Sequence, residues 1–259
     1  MLLTLDVGNT ETTVGLFRGE TLEGHWRITT TAQRTPDEWA ALLSAYLVNA
    51  GHSPTGVRAA VVASVAPLVT QSLAEGVRVA TAQEAVMVGP ASPLPIRLDV
   101  DEPLTVGADR VVNTLAAVHL FHRDTIVVDF GTATTFDCIT ADGRFIGGVI
   151  MPGIRTAADE LVRRTAKLPA TELTPPPRVI GRRTEDCIRA GVLWGTVDAV
   201  DGVVRRIKGE WPESRRPLTV ATGGLAGLVA PLSKEIESVH PDLTLIGLRL
   251  AAGALGLVW

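Results

Sequence analysis

Residues 126–137 read Ile-Val-Val-Asp-Phe-Gly-Thr-Ala-Thr-Thr-Phe-Asp, and the rest of the chain can be interpreted around this stretch. The β-branched run ending in Asp129 predicts a buried strand, and Gly131 permits a tight turn into a second strand. Hydroxyls of Thr132, Thr134 and Thr135 line the turn. Glycine lets backbone N–H groups approach an anion, and a carboxylate at a strand end can hold a metal ion or its waters. The stretch therefore predicts a phosphate-binding hairpin with an acidic group beside it.

The N-terminus carries a second copy of this hairpin. Residues 3–13 read Leu-Thr-Leu-Asp-Val-Gly-Asn-Thr-Glu-Thr-Thr. An ungapped alignment of the two copies places Asp6 on Asp129, Gly8 on Gly131 and Thr12 on Thr135. Either copy alone could be an ordinary hairpin with an Asp-x-Gly turn and no ligand. Two copies near the starts of two halves predict two related lobes and favour phosphate binding.

Composition narrows the class of protein. A chain of 259 residues that is 46% hydrophobic can bury a sizeable core. Its net charge of −4 is spread without long blocks, so we expect neither nucleic acid nor a membrane surface as a partner. Cys138 and Cys187 show no metal-ligand or disulfide pattern and are expected to be reduced. With no recognisable secretory signal and no apolar run long enough to span a bilayer, the expected location is cytoplasmic.

Hydrophobic periodicity and turn residues predict the elements between and around the hairpins. In the first half they predict strands at 13–18, 24–28, 58–65 and 85–88, a helix capped by Thr35, and helices beginning near Leu68 and Gly107. In the second half they predict a strand at 144–150, helices at 155–165, 184–207 and 225–232, a strand at 218–221, and a short strand plus an apolar helix within 243–259. The proline-rich residues 168–178 predict an extended connection. We place the domain boundary so that residues 1–114 form one lobe and residues 115–259 the other.

The two hairpins resemble the phosphate motifs of the sugar kinase, heat-shock protein and actin superfamily. Together with Gly107-Ala108-Asp109-Arg110, residues 147–153 (Gly-Gly-Val-Ile-Met-Pro-Gly) and Thr222-Gly223-Gly224, they resemble type III pantothenate kinase over essentially the whole chain. The resemblance implies an α/β fold of two ribonuclease-H-like, actin-like ATPase lobes, with mixed sheets flanked by helices and a nucleotide cleft between the lobes. It also implies ATP-dependent phosphorylation of pantothenate to 4′-phosphopantothenate, the first step of coenzyme A biosynthesis, by a homodimer that uses Mg²⁺ and a monovalent cation, K⁺ or NH₄⁺.

The resemblance assigns roles to particular residues. Asp6 is expected to hold Mg²⁺ through water, and Asp129 to place the monovalent cation. The expected ATP and phosphate contacts are Asp6, Gly8, Asn9, Thr10, Gly131, Thr132, Thr134, Thr222, Gly223 and Gly224. For either aspartate, the alternative is a side chain that only stabilises its own turn.

Asp109 is the expected general base, because an attacking hydroxyl needs an acceptor for its proton. The expected substrate contacts are Gly107, Ala108, Asp109, Arg110, Gly153, Thr156 and Thr184. Spacing alone would equally permit Asp109 to stabilise a helix N-terminus, Arg110 to form a surface ion pair, and Thr184 to be an N-cap. Many family members have a tyrosine where this chain has Val100, so the substrate contacts at that position stay open.

Two other functions remain as alternatives. The chain could be another small-molecule kinase of the superfamily, although the Asp109-Arg110 pair argues against a different acceptor. It could also be a non-catalytic actin-like regulatory protein that keeps the fold. The presence of Asp6, Asp109 and Asp129 favours an enzyme over that regulator.

Overall fold

In the computed structural model, which describes residues 1–211 and 216–259, the chain divides into two units. Unit 1 comprises Met1–Leu120 and Leu243–Trp259, and unit 2 comprises Phe121–Asp242. The strands are β1 (Leu2–Val7), β2 (Glu11–Arg18), β3 (Thr21–Thr29), β4 (Ala59–Ser64), β5 (Ala85–Val88), β6 (Arg97–Leu98), β7 (Thr125–Phe130), β8 (Ala133–Ile139), β9 (Arg144–Pro152), β10 (Leu218–Thr222) and β11 (Ser238–Val239). The α-helices are α1 (Pro36–Asn49), α2 (Pro67–Thr81), α3 (Ala108–Phe121), α4 (Ile154–Arg163), α5 (Thr184–Glu210), α6 (Ala226–Val229) and α7 (Leu243–Ala254).

Unit 1 is built on a sheet with the strand order β3-β2-β1-β4-β5. The first three strands in sequence form an antiparallel meander, and β4 and β5 extend the sheet in parallel with β1. Strand β4 is an almost continuous run of small apolar residues that is buried along its length, as expected for a parallel strand covered on both faces. One apolar core packs α1 and α2 on the sheet, and a second core packs α3 and α7.

Unit 2 repeats this topology. Its strands follow the order β11-β10-β7-β8-β9, with β7, β8 and β9 forming an antiparallel meander and β10 and β11 running parallel to β7. The core on one face joins residues of β7 and β8 to residues of α5 and α6. Each unit thus has a hairpin, a third antiparallel strand and two parallel strands, which confirms the mixed α/β class that the family resemblance implies.

The elements predicted between residues 13 and 232 are present. Helix α1 has the predicted capping box, in which the Thr35 hydroxyl accepts from the Glu38 amide and the Glu38 carboxylate accepts from the Thr35 amide. The predicted helix at 225–232 is divided into α6 and a single 3-10 turn, Ala230–Leu232. The 168–178 connection contains neither helix nor strand.

The C-terminal segment differs from the prediction. Residues 243–259 contain α7 and no strand, and the short strand β11 precedes them. This segment belongs to unit 1, and unit 1 also extends to Leu120 rather than ending at residue 114. The physical reason is packing: Leu245 and Leu248 lie in the apolar core with α3, and Gly247 lies so close to Val112 that a methyl group there would collide with the Val112 backbone. None of the described helices is both long and apolar enough to cross a membrane.

Candidate active site

The first hairpin joins β1 to β2 through residues 8–11. Val7 pairs with Thr12, and the Gly8 amide donates to the Glu11 carbonyl at 3.0 Å. A methyl group at Gly8 would lie 2.9 Å from that carbonyl oxygen, which explains the need for glycine. Asn9 and Thr10 are exposed at the turn, and the half-buried Asp6 precedes it on β1. The turn therefore presents polar groups to solvent beside a carboxylate.

The second hairpin joins β7 to β8 through residues 131–133. The Gly131 amide donates to the Ala133 carbonyl at 3.0 Å. The Thr132 carbonyl accepts two hydrogen bonds, from the Gly153 amide at 3.1 Å and from the Thr156 hydroxyl at 2.6 Å. Gly153 is closely packed here, since a methyl group would collide with the carbonyl oxygens of Gly131 and Thr132. Gly153 and Thr156, which the sequence predicts to contact substrate, thus hold the predicted phosphate-binding turn of the same unit.

The strand register corrects the ungapped alignment of the two hairpins. Val7 pairs with Thr12, whereas the equivalent Phe130 pairs with Thr134. The second turn is therefore one residue shorter, and Thr12 corresponds to Thr134 rather than to Thr135. Both Thr12 and Thr134 are fully buried, as equivalent positions in a repeated sheet should be.

Asp129 lies against the predicted Thr222-Gly223-Gly224 motif. Thr222 is the register partner of Asp129 on the parallel strand β10. Gly223 has a φ of +89°, and a methyl group there would collide with Asp129 Oδ1. Glycine is needed at 223 for both its backbone conformation and this close approach. The side chain of Thr222 is 1% exposed, and its hydroxyl has no hydrogen-bond partner.

Asp109 lies in the first turn of α3. The Gly107 carbonyl accepts from the Val111 amide at 3.1 Å, and Asp109 Oδ1 accepts from the Arg110 amide at 2.8 Å. Burial raises the pKa of the Asp109 carboxyl above its ordinary value, and this effect outweighs the hydrogen bond and the charge of Arg110, which act to lower it. A carboxylate with a raised pKa is a stronger base, so the environment suits proton acceptance. The bond to the Arg110 amide also stabilises the helix N-terminus, and this contact is compatible with the predicted role of Asp109 as a base.

Asp109 and Asp6 belong to one end of the unit 1 sheet. A methyl group at Gly107 would lie 3.5 Å from Val65 Cγ1, so the loop before α3 lies beside the end of β4. The Val65 amide donates to the Val7 carbonyl at 3.0 Å, directly after Asp6. The predicted base and the predicted magnesium carboxylate are therefore both at the carboxyl ends of the central strands of unit 1.

Unit 2 contains a cavity of about 630 Å³ beside α4 and α5. Its lining residues are Met151, Pro152, Ala157, Leu161, Leu168, Thr184, Cys187, Ile188, Gly191, Val192, Gly195 and Thr196. Thr184 is the first residue of α5, and the N-cap is Arg183, so the alternative that Thr184 is the N-cap is wrong. The sequence did not predict this cavity, although its lining includes Thr184, one of the expected substrate contacts. Neither Cys138 nor Cys187 forms a disulfide, and the described residues contain no cluster of three or more His, Cys, Asp or Glu side chains placed to hold a metal ion.

A family model described as "Type III pantothenate kinase" matches residues 2–206. The chain therefore belongs to the type III pantothenate kinase family. A curated type III pantothenate kinase of Syntrophotalea carbinolica is 45% identical over 250 residues, covering 96% of this chain and 97% of the relative. That of Moorella thermoacetica is 43% identical over 252 residues, covering 96% of this chain and 98% of the relative. The chain also resembles the crystal structure of a ROK hexokinase from Thermus thermophilus. The sequence identity is 15%, the TM-score is 0.51, and the match covers 96% of this chain and 97% of the hexokinase. This likeness shows that the two proteins share a fold.

Proposed function

We propose that this protein transfers the γ-phosphoryl group of ATP to pantothenate and forms 4′-phosphopantothenate, the first step of coenzyme A biosynthesis. The observation that carries the proposal is Asp109. It lies in the Gly-Ala-Asp-Arg turn of a chain that belongs to the type III pantothenate kinase family, and burial raises its pKa. Because phosphoryl transfer passes through a loose transition state, the main tasks of the protein are to bind the phosphates and to align the attacking hydroxyl.

In this proposal the two hairpin turns and the residues beside them bind the phosphates. Gly8, Asn9 and Thr10 contribute from the first hairpin, and Gly131, Thr132 and Thr134 from the second. Their backbone N–H and hydroxyl groups are the donors that phosphate oxygens accept from. Gly223 and Gly224 let the nucleotide approach the backbone after β10.

Asp6 is assigned to Mg²⁺, which it holds through water. The residues fit such an ion, since a half-buried carboxylate stands directly before a turn with exposed Asn9 and Thr10, and Mg²⁺ prefers oxygen ligands and retains several waters. When bound, Mg²⁺ offsets the negative charge of the phosphates. Asp129 is assigned to the monovalent cation, K⁺ or NH₄⁺.

Asp109 accepts the proton of the attacking hydroxyl of pantothenate. Arg110 contacts the substrate, where a guanidinium can bind the pantothenate carboxylate through a charge-assisted hydrogen bond. Gly107, Ala108, Gly153, Thr156 and Thr184 complete the proposed substrate contacts. Two further parts of the proposal are that the enzyme is a homodimer and that it works in the cytoplasm.

The proposal is tested by ATP consumption coupled to detection of phosphorylated pantothenate. Reactions contain Mg²⁺ with K⁺, NH₄⁺ or Na⁺ in parallel, and a panel of sugars and hydroxy acids replaces pantothenate in matched reactions. We expect product only with pantothenate and a higher rate with K⁺ or NH₄⁺ than with Na⁺. Turnover with another acceptor would overturn the substrate, and folded protein silent under every ion would favour the non-catalytic regulator. Sedimentation of the purified protein tests the homodimer separately.

A further inference from the structure

The hydroxyl of Thr222 is a buried polar group that the fold leaves without a partner. Its side chain is 1% exposed, and Thr222 Oγ1 has no hydrogen-bond partner. A buried hydroxyl that loses its hydrogen bonds to water and gains none in the protein destabilises the folded state. Most buried polar groups in proteins therefore have a hydrogen-bond partner. An unsatisfied one at the end of a strand, beside a predicted ion site, calls for an explanation.

Thr222 shares a face of the unit 2 sheet with Asp129. The two residues are register partners on the parallel strands β10 and β7, and neighbouring strands lie about 5 Å apart. Because register partners point to the same face, the hydroxyl and the carboxylate lie side by side on that face. Thr135, the register partner of Asp129 on β8, extends this into a row of three oxygen-bearing side chains at the strand ends.

We propose that Thr222 Oγ1 is a ligand of the monovalent cation assigned to Asp129, and this inference rests on that part of the proposed function. K⁺ is bound in proteins by oxygens that replace its hydration shell, and a neutral hydroxyl next to a carboxylate offers such an oxygen. NH₄⁺ would donate a hydrogen bond to the same lone pairs. Thr222 then serves the site through its side chain, while the glycines that follow it serve the nucleotide through their backbone.

Thr219 provides a matched control on the same strand. It is fully buried, and its hydroxyl also has no hydrogen-bond partner. Its register partner is Ile126, whose neighbours in the apolar core include Val128 and Phe130, so Thr219 points to the opposite face from Thr222. Thr219→Val and Thr222→Val therefore remove chemically identical groups from equally buried positions, and only Thr222→Val touches the proposed ion site.

The first measurement is thermal unfolding of the nucleotide-free protein over a K⁺ titration, with tetramethylammonium chloride holding the ionic strength constant. An ion that binds only the folded state stabilises it by RT ln(1 + [ion]/Kd), so the stabilisation rises with the logarithm of the ion concentration above the dissociation constant. We expect K⁺ to raise the melting temperature of the wild type and of Thr219→Val equally, and to raise that of Thr222→Val only at concentrations at least tenfold higher. Thr222→Ser, which keeps the hydroxyl, should respond as the wild type does.

Steady-state kinetics separate this inference from the proposed function. For Thr222→Val we expect a K⁺ concentration for half-maximal activation at least tenfold higher than in the wild type. An equal K⁺ response in Thr222→Val and the wild type would overturn the ligand assignment while leaving the cation at Asp129. A KM for ATP raised at every K⁺ concentration would overturn it in favour of a nucleotide contact. A wild type that responds to K⁺ in neither assay would overturn the Asp129 assignment itself, and the inference with it.

Discussion

The two hairpins have the same strand arrangement, but different contacts hold their turns in place. In each, the carbonyl of a turn threonine accepts a hydrogen bond from the residue that follows the third strand: Thr10 from the Thr30 amide at 2.9 Å, and Thr132 from the Gly153 amide at 3.1 Å. In unit 2 the residue that follows the third strand is Gly153, which packs closely against the turn, and the Thr156 hydroxyl donates a second hydrogen bond to the same carbonyl. In unit 1 the turn is one residue longer and ends at Thr12, whose hydroxyl lies 2.9 Å from the Thr30 hydroxyl.

The two units therefore share the hydrogen bonding of the turn, but the groups that surround the conserved aspartate differ between them. Asp6 stands at the sheet end that also carries Asp109. Asp129 stands against Gly223 and the unpartnered Thr222 hydroxyl. These different neighbours are consistent with the proposal that the same Asp-x-Gly element holds Mg²⁺ in unit 1 and a monovalent cation in unit 2.

The largest expected effect concerns the base that only unit 1 supplies. Asp109→Asn keeps an oxygen that can accept from the Arg110 amide, but it removes the proton acceptor. We expect turnover to fall by about a hundredfold or more, because general base catalysis contributes a factor of this size. The measurement is the steady-state rate of 4′-phosphopantothenate formation, with the melting temperature as the check on folding. Asp101→Asn, at an exposed position before α3, is the control, and a folded Asp109→Asn variant with near-normal turnover would remove Asp109 from the mechanism.

The raised pKa of Asp109 predicts a second effect, on the pH dependence. The base must be ionised, so kcat/KM should fall about tenfold per pH unit below the pKa of Asp109, and that acid limb should lie above the ordinary aspartate range. The folded protein holds this proton at a higher pH than the unfolded chain, so the Asp109 contribution to stability decreases as pH rises through its folded-state pKa. Asp109→Asn should therefore gain stability relative to the wild type as pH rises. A limb at the ordinary aspartate pKa, or an unchanged stability difference between pH 4 and 7, would contradict the burial of this carboxyl.

The sequence predicted most of the features that the two units share. The features that it did not predict depend on contacts between residues far apart in the chain. The repeated hairpin, the capping box of α1 and the positions of the strands predicted between residues 13 and 221 depend on local residue chemistry, and the structure confirms them. The position of α7 depends on the packing of Leu245 and Leu248 in the apolar core of unit 1. A local sequence pattern does not predict which core a helix joins. The one-residue difference between the turns depends on strand pairing, because both Thr12-Thr13 and Thr134-Thr135 offer two adjacent threonines. The roles of the site residues rest on the family motif rather than on spacing.

A third prediction tests the close packing that distinguishes the second hairpin. In Gly153→Ala the new methyl group collides with the carbonyl oxygens of Gly131 and Thr132, and relief requires movement of the backbone. We expect the free energy of unfolding, measured with urea, to fall by about 1–3 kcal/mol, as for other overpacked sites, and ATP-dependent turnover to fall with it. Gly202→Ala in α5 is the control, since a methyl group there meets no atom within 4 Å and should stabilise the helix by up to about 1 kcal/mol. Equal stability of the two variants would show that the second turn is not held by this contact.

The smallest expected effect separates the two register-equivalent threonines. The Thr12 hydroxyl has the Thr30 hydroxyl as its partner, whereas the Thr134 hydroxyl is buried without one. Thr12→Val should therefore cost about 1 kcal/mol of unfolding free energy, the net value of a typical hydrogen bond. Thr134→Val should be neutral or slightly stabilising, because it removes a buried polar group that has no hydrogen bond to lose.

The measurement is urea unfolding of both variants, carried out with and without ATP and Mg²⁺. Comparing the two conditions tests whether the Thr134 hydroxyl takes part in phosphate binding. If Thr134→Val loses stability only in the presence of nucleotide, its hydroxyl turns towards the phosphates when they bind. If it behaves identically with and without nucleotide, phosphate recognition by the second hairpin falls to Gly131 and Thr132, and the shorter turn acts through its backbone.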